Sequence, residues 1–229
     1  MSSIRYYRNA RQDQNKITLT FDDGPTPGVT EQVMEILEKN DIRGTFFAVG
    51  KWAAQPDGRT TLQRLMQHNH IIGNHTNHHY HPIKATIPYP VTEFADAEKI
   101  ISGVLGAPTR YVRAPYLAYG PNVCAALQDW IGNRKIIDGK VSGFDWENWQ
   151  SPEKPQEITR SVLDSPELRN GSIIYLHDGS EISEERFVRP APMIEALPEI
   201  IRGLRARGFE IVGIDELTFD EDDIITELY

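Results

Sequence analysis

Short apolar runs closed by glycine, proline or acidic residues alternate along this chain with stretches whose apolar residues recur every three or four positions. The first run, Ile17-Thr18-Leu19-Thr20-Phe21, mixes apolar and β-branched residues and reads as a strand. It closes in Asp22-Asp23-Gly24-Pro25, where Gly-Pro forces a loop. Residues 29–40 carry Val33, Ile36 and Leu37 on one helical face, with Thr30 as the N-cap. A glycine-bounded run at 44–50 reads as a buried strand, 60–68 as a helix and 71–74 as the next strand. The helix predicted at 91–105 is stopped by Gly106 and Pro108. Strands at 111–113, 136–138 and 173–176 are separated by helical stretches at 122–130 and 157–163. A last helix, 198–208, leads into a strand at 209–214. Strand–helix alternation implies parallel pairing with helices outside the sheet, and seven or eight such units fit one α/β barrel better than two domains. No linker-like stretch or internal repeat divides the chain.

Composition narrows the function classes. The 229 residues hold 24 Lys+Arg against 33 Asp+Glu, a net charge of −9, which argues against binding nucleic acid through its phosphates. A single cysteine, Cys124, excludes an internal disulfide and a cysteine-rich zinc site. No run approaches eighteen apolar residues, so no membrane insertion is expected. Residues 1–14 lack the apolar core of an export signal, which predicts a cytoplasmic location for the chain as it stands, or a secreted one if such a signal has been trimmed away. The expected state is a monomer. Of seven histidines, six fall between His68 and His81, and the seventh is His177.

In parallel barrels the chemistry sits at the carboxyl ends of strands. Asp22 and Asp23 close the first strand; adjacent carboxylates there point in different directions and can take two roles, although Asp-Gly-Pro is also ordinary turn chemistry. His75 and His79 follow the strand at 71–74, and a helical turn capped by Thr76 would put both imidazoles on one face to grip a metal ion. His78 and His81 compete for that role. Arg113 ends another strand, where a guanidinium can hold a carboxylate or simply form a surface ion pair. Asp145-Trp146, followed by Asn148-Trp149, sets acid beside aromatic rings that stack on sugars or cover a core. His177 ends the strand at 173–176 and is a candidate general acid.

These segments also resemble a known family. Thr20-Phe21-Asp22-Asp23-Gly24-Pro25, Gly73-Asn74-His75-Thr76-Asn77-His78-His79, Arg113-Ala114-Pro115-Tyr116, Asp145-Trp146 and Leu176-His177 stand in the order of the five motifs of polysaccharide deacetylases, the NodB-homology group of carbohydrate esterases. The resemblance spans residues 16–217, which it marks as the catalytic domain, leaving 1–15 as an N-terminal extension and 218–229 as an acidic tail. It implies a distorted (β/α) barrel of about seven parallel strands. It also implies one divalent ion, zinc first with cobalt or nickel as alternatives, held by Asp23, His75 and His79. Asp22 then resembles the general base, Arg113 the residue orienting it, and His177 the general acid. The Tyr116 backbone amide resembles an oxyanion donor, Leu176 the lining of an acetyl pocket, and Asp145 with Trp146 the fourth motif, for which Asn148-Trp149 is the alternative alignment. Leu117 stands where the family usually has glycine. The implied activity is hydrolytic N-deacetylation of an acetylated glycan, chitin oligosaccharide or peptidoglycan. Rival readings are hydrolysis of acetylated xylan or of a small amide or cyclic imide, and an inactive glycan-binding module.

Overall fold

The computed structural model describes residues 3–81, 91–147, 150–179, 192–219 and 224–228. Its strands are β1 (Ser3–Tyr7), β2 (Lys16–Asp22), β3 (Thr45–Ala48), β4 (Ile71–Asn74), β5 (Tyr111–Val112), β6 (Lys135–Ile137), β7 (Val141–Ser142), β8 (Ile173–His177), β9 (Glu210–Ile211) and β10 (Ile224–Leu228). The helices are α1 (Val29–Glu38), α2 (Gly50–Ala53), α3 (Pro56–Gln67), α4 (Thr92–Leu105), α5 (Pro121–Trp130), α6 (Lys154–Leu163) and α7 (Pro192–Ala206). Eight strands run parallel in the order β1-β6-β5-β4-β3-β2-β8-β7, a half-barrel sheet wrapped by helices. This is the distorted (β/α) barrel expected. β10 adds to β1 in antiparallel fashion, and β9 lies parallel beside the start of β2. The chain leaving β1 reaches the foot of β8, where Ala10 N–H donates to Gly171 O at 2.8 Å.

The period of two along each strand sorts the core into two layers. Ile17, Leu19, Phe21, Phe46, Ile72, Ile174 and Leu176 face outward, against Val33, Leu37, Leu197, Ile200 and Leu204 of the helices. Phe47, Tyr111, Ile137 and Ile173 face inward and form a floor closed by Val212 and Ile214. Polar residues on that inner face (Thr18, Thr20, Asp22, Arg113) therefore point into the barrel above the floor. Gly73 belongs to this arrangement, since a Cβ there would lie 2.6 Å from the Phe47 ring.

Several elements differ from the sequence pattern for physical reasons. β1 falls in residues that show no predicted element, β7 is two residues, too short for a period to register, and the strand predicted at 209–214 is reduced to the two residues of β9. α2 is one turn long and was not anticipated. α7 begins at Pro192, so Pro198 lies inside the helix; Met193, Ala196 and Leu197 extend the buried face upstream of it. Gly28 is the N-cap of α1, its N–H donating to the Glu31 carboxylate at 2.6 Å, which frees the Thr30 hydroxyl for another partner. No helix among the described residues is long and apolar enough to cross a membrane.

Candidate active site

The carboxyl ends of β2, β4, β5 and β8 converge, and with them the polar residues singled out in the sequence. Asp23 takes a left-handed backbone conformation (φ 75°) that turns its side chain toward the histidines. Its Oδ1 lies 3.0 Å from His79 Nε2 and 3.4 Å from His75 Nε2. All three residues are buried, and one potential ligand atom from each lies within 4.8 Å of the others. The expected helical turn over 75–79 is absent. Instead Thr76 and His79 both have positive φ (68° and 58°), and the tight loop itself brings the imidazoles together. It holds by polar bonds, Thr76 N–H to Asn74 Oδ1 at 2.9 Å and His79 N–H to Thr76 Oγ1 at 3.2 Å. The first turn of α2 anchors it further, with Gly50 and Lys51 N–H donating to Thr76 and Asn77 carbonyls at 2.9 Å.

A carbonyl can only accept, so the 2.8 Å contact between His75 Nδ1 and Arg113 O puts the proton on Nδ1 and the lone pair of Nε2 toward Asp23. Asp23 Oδ1 is buried yet takes no hydrogen bond of acceptable geometry. Burial alone would raise the Asp23 pKa. His79, His75 and, farther off, His177 outweigh it and hold the carboxyl well below the usual range. Two imidazoles and an ionised carboxylate facing one point are a donor set that fits a divalent cation and leaves positions open.

Beside this cluster, Arg113 is fully buried and spends its guanidinium on the barrel interior. Nη1 donates to Asp22 Oδ1 and to Thr20 Oγ1, both at 2.8 Å; Nε and Nη2 donate to Ile137 O and Asp138 O. Its guanidinium carbon stands 4.3 Å over the Phe47 ring. This is no surface ion pair. Across the site, His177 Nδ1 lies 2.9 Å from Asp145 Oδ1, while the His177 backbone N–H donates to Asp145 Oδ2 at 2.8 Å. Burial alone would lower the His177 pKa, but Asp145, then Asp23 and Asp22, push it up to about 9. Asp145 thus meets the histidine directly; Asn148 and Trp149 lie outside the described residues.

The remaining positions are placed unequally. Tyr116 is half exposed in a left-handed conformation (φ 59°), its ring 5.1 Å from His79. Leu117 also has positive φ (49°), so it keeps the backbone form that suits glycine. Trp146 sets its ring against the edge of His177, 5.0 Å between centroids. Leu176 is buried on the outer face of β8 among the helix-facing core. Tyr175 shares the inner face with His177 and stacks on Trp146 at 6.3 Å. Alternation from His177 could have found Tyr175. His78 bonds Glu93 of α4 at 2.7 Å and His81 sits against Tyr116 at 4.3 Å. His70 accepts from Gly44 N–H, and burial lowers its pKa to about 4, so it is a neutral core residue.

Comparison with known proteins agrees with this geometry. A family model described as polysaccharide deacetylase matches residues 9–131. A chitooligosaccharide deacetylase of Azorhizobium caulinodans is 32% identical over 217 residues, 92% of this chain and 98% of that protein. The chain belongs to the polysaccharide deacetylase family. Like that family, it is a hydrolase. Its fold matches the crystal structure of a peptidoglycan N-acetylglucosamine deacetylase with TM-score 0.77 at 24% identity, over 93% of this chain and 92% of that one. The Xyl-CE4 domain of a multidomain xylanase from the hindgut metagenome of Trinervitermes trinervoides matches with TM-score 0.73 at 26% identity, over 89% of each chain.

Proposed function

We propose that this protein is a metal-dependent N-deacetylase of glycans containing N-acetylglucosamine, chitin oligosaccharides or peptidoglycan. The observation that carries the reading is the convergence of Asp22, Asp23, His75, His79, Arg113, Asp145 and His177 at one end of the barrel. Asp23, His75 and His79 are the residues that would hold the ion. Once bound, a divalent cation polarises the amide carbonyl and brings a water pKa toward about 7.

The chain's own residues do the rest. Arg113 occupies Asp22 Oδ1 and fixes the plane of that carboxyl, leaving Oδ2 to take a proton from the attacking water. As the water oxygen bonds to the carbonyl carbon, negative charge grows on the carbonyl oxygen, and the Tyr116 backbone N–H is the donor we assign to it. His177 Nδ1–H is committed to Asp145, so the proton for the departing nitrogen comes from Nε2. When the C–N bond breaks, that proton completes the amine, and acetate and a free glucosamine remain. Trp146 and Tyr175 give an aromatic wall beside His177 against which a sugar ring can lie.

Acetate release from chitin oligosaccharides, peptidoglycan fragments and acetylated xylan, with zinc, cobalt and nickel supplied in turn, tests the reading. Release from the first two is expected. Release from xylan alone would redirect the assignment to an ester substrate, and none from any would overturn it.

A further inference from the structure

The turn bearing Asp22 and Asp23 rests on a carboxyl group that the scheme above does not use. Asp178 follows His177 and is 1% exposed. Its backbone N–H donates to Asp22 O at 3.1 Å, continuing the β2·β8 pairing past the strand ends. Its Oδ2 accepts from the Thr30 hydroxyl at 2.5 Å, and Thr30 Oγ1 accepts from Thr26 N–H at 2.8 Å. A hydroxyl has one proton, so the bonds run in one direction: Thr26 N–H to Thr30, Thr30 O–H to Asp178. Gly24 lies flat on the same carboxyl, for a Cβ there would be 2.3 Å from Oδ2. Gly179 passes equally close to the backbone of Asp23, 2.4 Å from its carbonyl oxygen to a would-be Cβ.

The turn needs such restraint. Asp23 sits at φ 75°, in the left-handed region that L-residues enter at a backbone cost. Both carboxyls beside it must be aimed, Asp22 at Arg113 and Asp23 at two imidazoles. A third carboxyl buried behind two others is costly as an anion, and burial with Asp23 and Asp22 raises Asp178 to about 7. A core seeking only stability would place an apolar side chain there.

We propose that Asp178 is a positioning residue: through Thr30 and its packing on Gly24 it fixes the Asp22–Asp23 turn, and so sets the geometry of both the base and the metal-binding carboxylate. The kinetic part of this inference rests on the deacetylase reading; the metal-binding part does not.

The test compares wild type with Asp178→Ala, Asp178→Asn, Thr30→Val, Thr30→Ser and the Asp178→Ala/Thr30→Val pair. Cobalt affinity of the metal-free proteins is measured by competition with a chelating dye, and kcat and KM by acetate release. Asp178→Ala and Thr30→Val are each expected to weaken cobalt binding about 10-fold or more, with kcat reduced and KM little changed. Asp178→Asn keeps an acceptor oxygen and Thr30→Ser keeps the hydroxyl, so both are expected near wild type. The pair should lose no more than Asp178→Ala alone, because both members remove one linkage. Native cobalt affinity in folded Thr30→Val or Asp178→Ala overturns the proposal, as do additive losses in the pair. Should Asp178→Ala not fold, Thr30→Val against Thr30→Ser decides the same point. A wild type that binds cobalt but releases no acetate removes the deacetylase reading, while the affinity series still decides the role of Asp178.

Discussion

His177 carries its proton through neutral pH because Asp145 faces it with both carboxylate oxygens, one on the ring and one on the backbone N–H. Raised from 6.5 to about 9, this pairing stabilises the fold fully below pH 6.5 and loses that contribution as pH rises through 9. Asp145→Asn removes the charge and is expected to lower the His177 pKa. The alkaline limb of kcat should then move to lower pH, and the loss of Tm between pH 6.5 and 9 should shrink; a pH–rate profile and thermal melts check both. The main polar positions at this scale were legible because chemistry-bearing side chains end strands: Asp22, Arg113 and His177 follow apolar runs directly. Leu176 and Tyr175 show where that legibility stopped. Motif adjacency pointed to Leu176, whereas strand alternation aims Tyr175 into the site and Leu176 into the helix layer.

The histidine loop owes its shape to α2, four residues that show no apolar period. Gly50 opens that helix with no room for a side chain, since a Cβ would stand 2.4 Å from Asn77 Oδ1 and 2.9 Å from Ala97 Cα. Gly50→Ala is expected to push residues 75–79 away from Asp23, at about 1–3 kcal/mol in urea unfolding, and to weaken cobalt binding measured by titration. A helical turn was the natural inference from two histidines four apart, but it would need i,i+4 hydrogen bonds. This segment instead spends its amides on Asn74, on the Thr76 hydroxyl and, for His78, on Glu93. Such side-chain competition leaves no trace in hydrophobic periodicity. β1 was hidden otherwise: in Ser3-Ile4-Arg5-Tyr6-Tyr7 only Ile4 is aliphatic, so no apolar run marks the strand.

For the whole molecule, the alternation of strands and helices was enough to place a parallel barrel, because each buried strand must be followed by a helix that covers it. Strand order was not readable, since pairs such as β2 with β8 join residues about 150 positions apart. A fold that brings Asp23, His75 and His79 from the ends of β2 and β4 to one point would be stabilised by an ion bound there, by about 2.7 kcal/mol at 100 times Kd. Melting with excess chelator, then with zinc or cobalt restored, should show Tm rising on restoration, and an unchanged Tm would count against the ion site.

Arg113 serves that point with both of its ends. Its side chain holds Asp22, while its backbone carbonyl holds His75. Any amino acid supplies a carbonyl, but only arginine supplies that fork of donors. The two duties therefore answer differently to change at one codon. A substitution there would take away the donors to Asp22 and keep the carbonyl that holds His75, so the supports of the two residues come apart in one step.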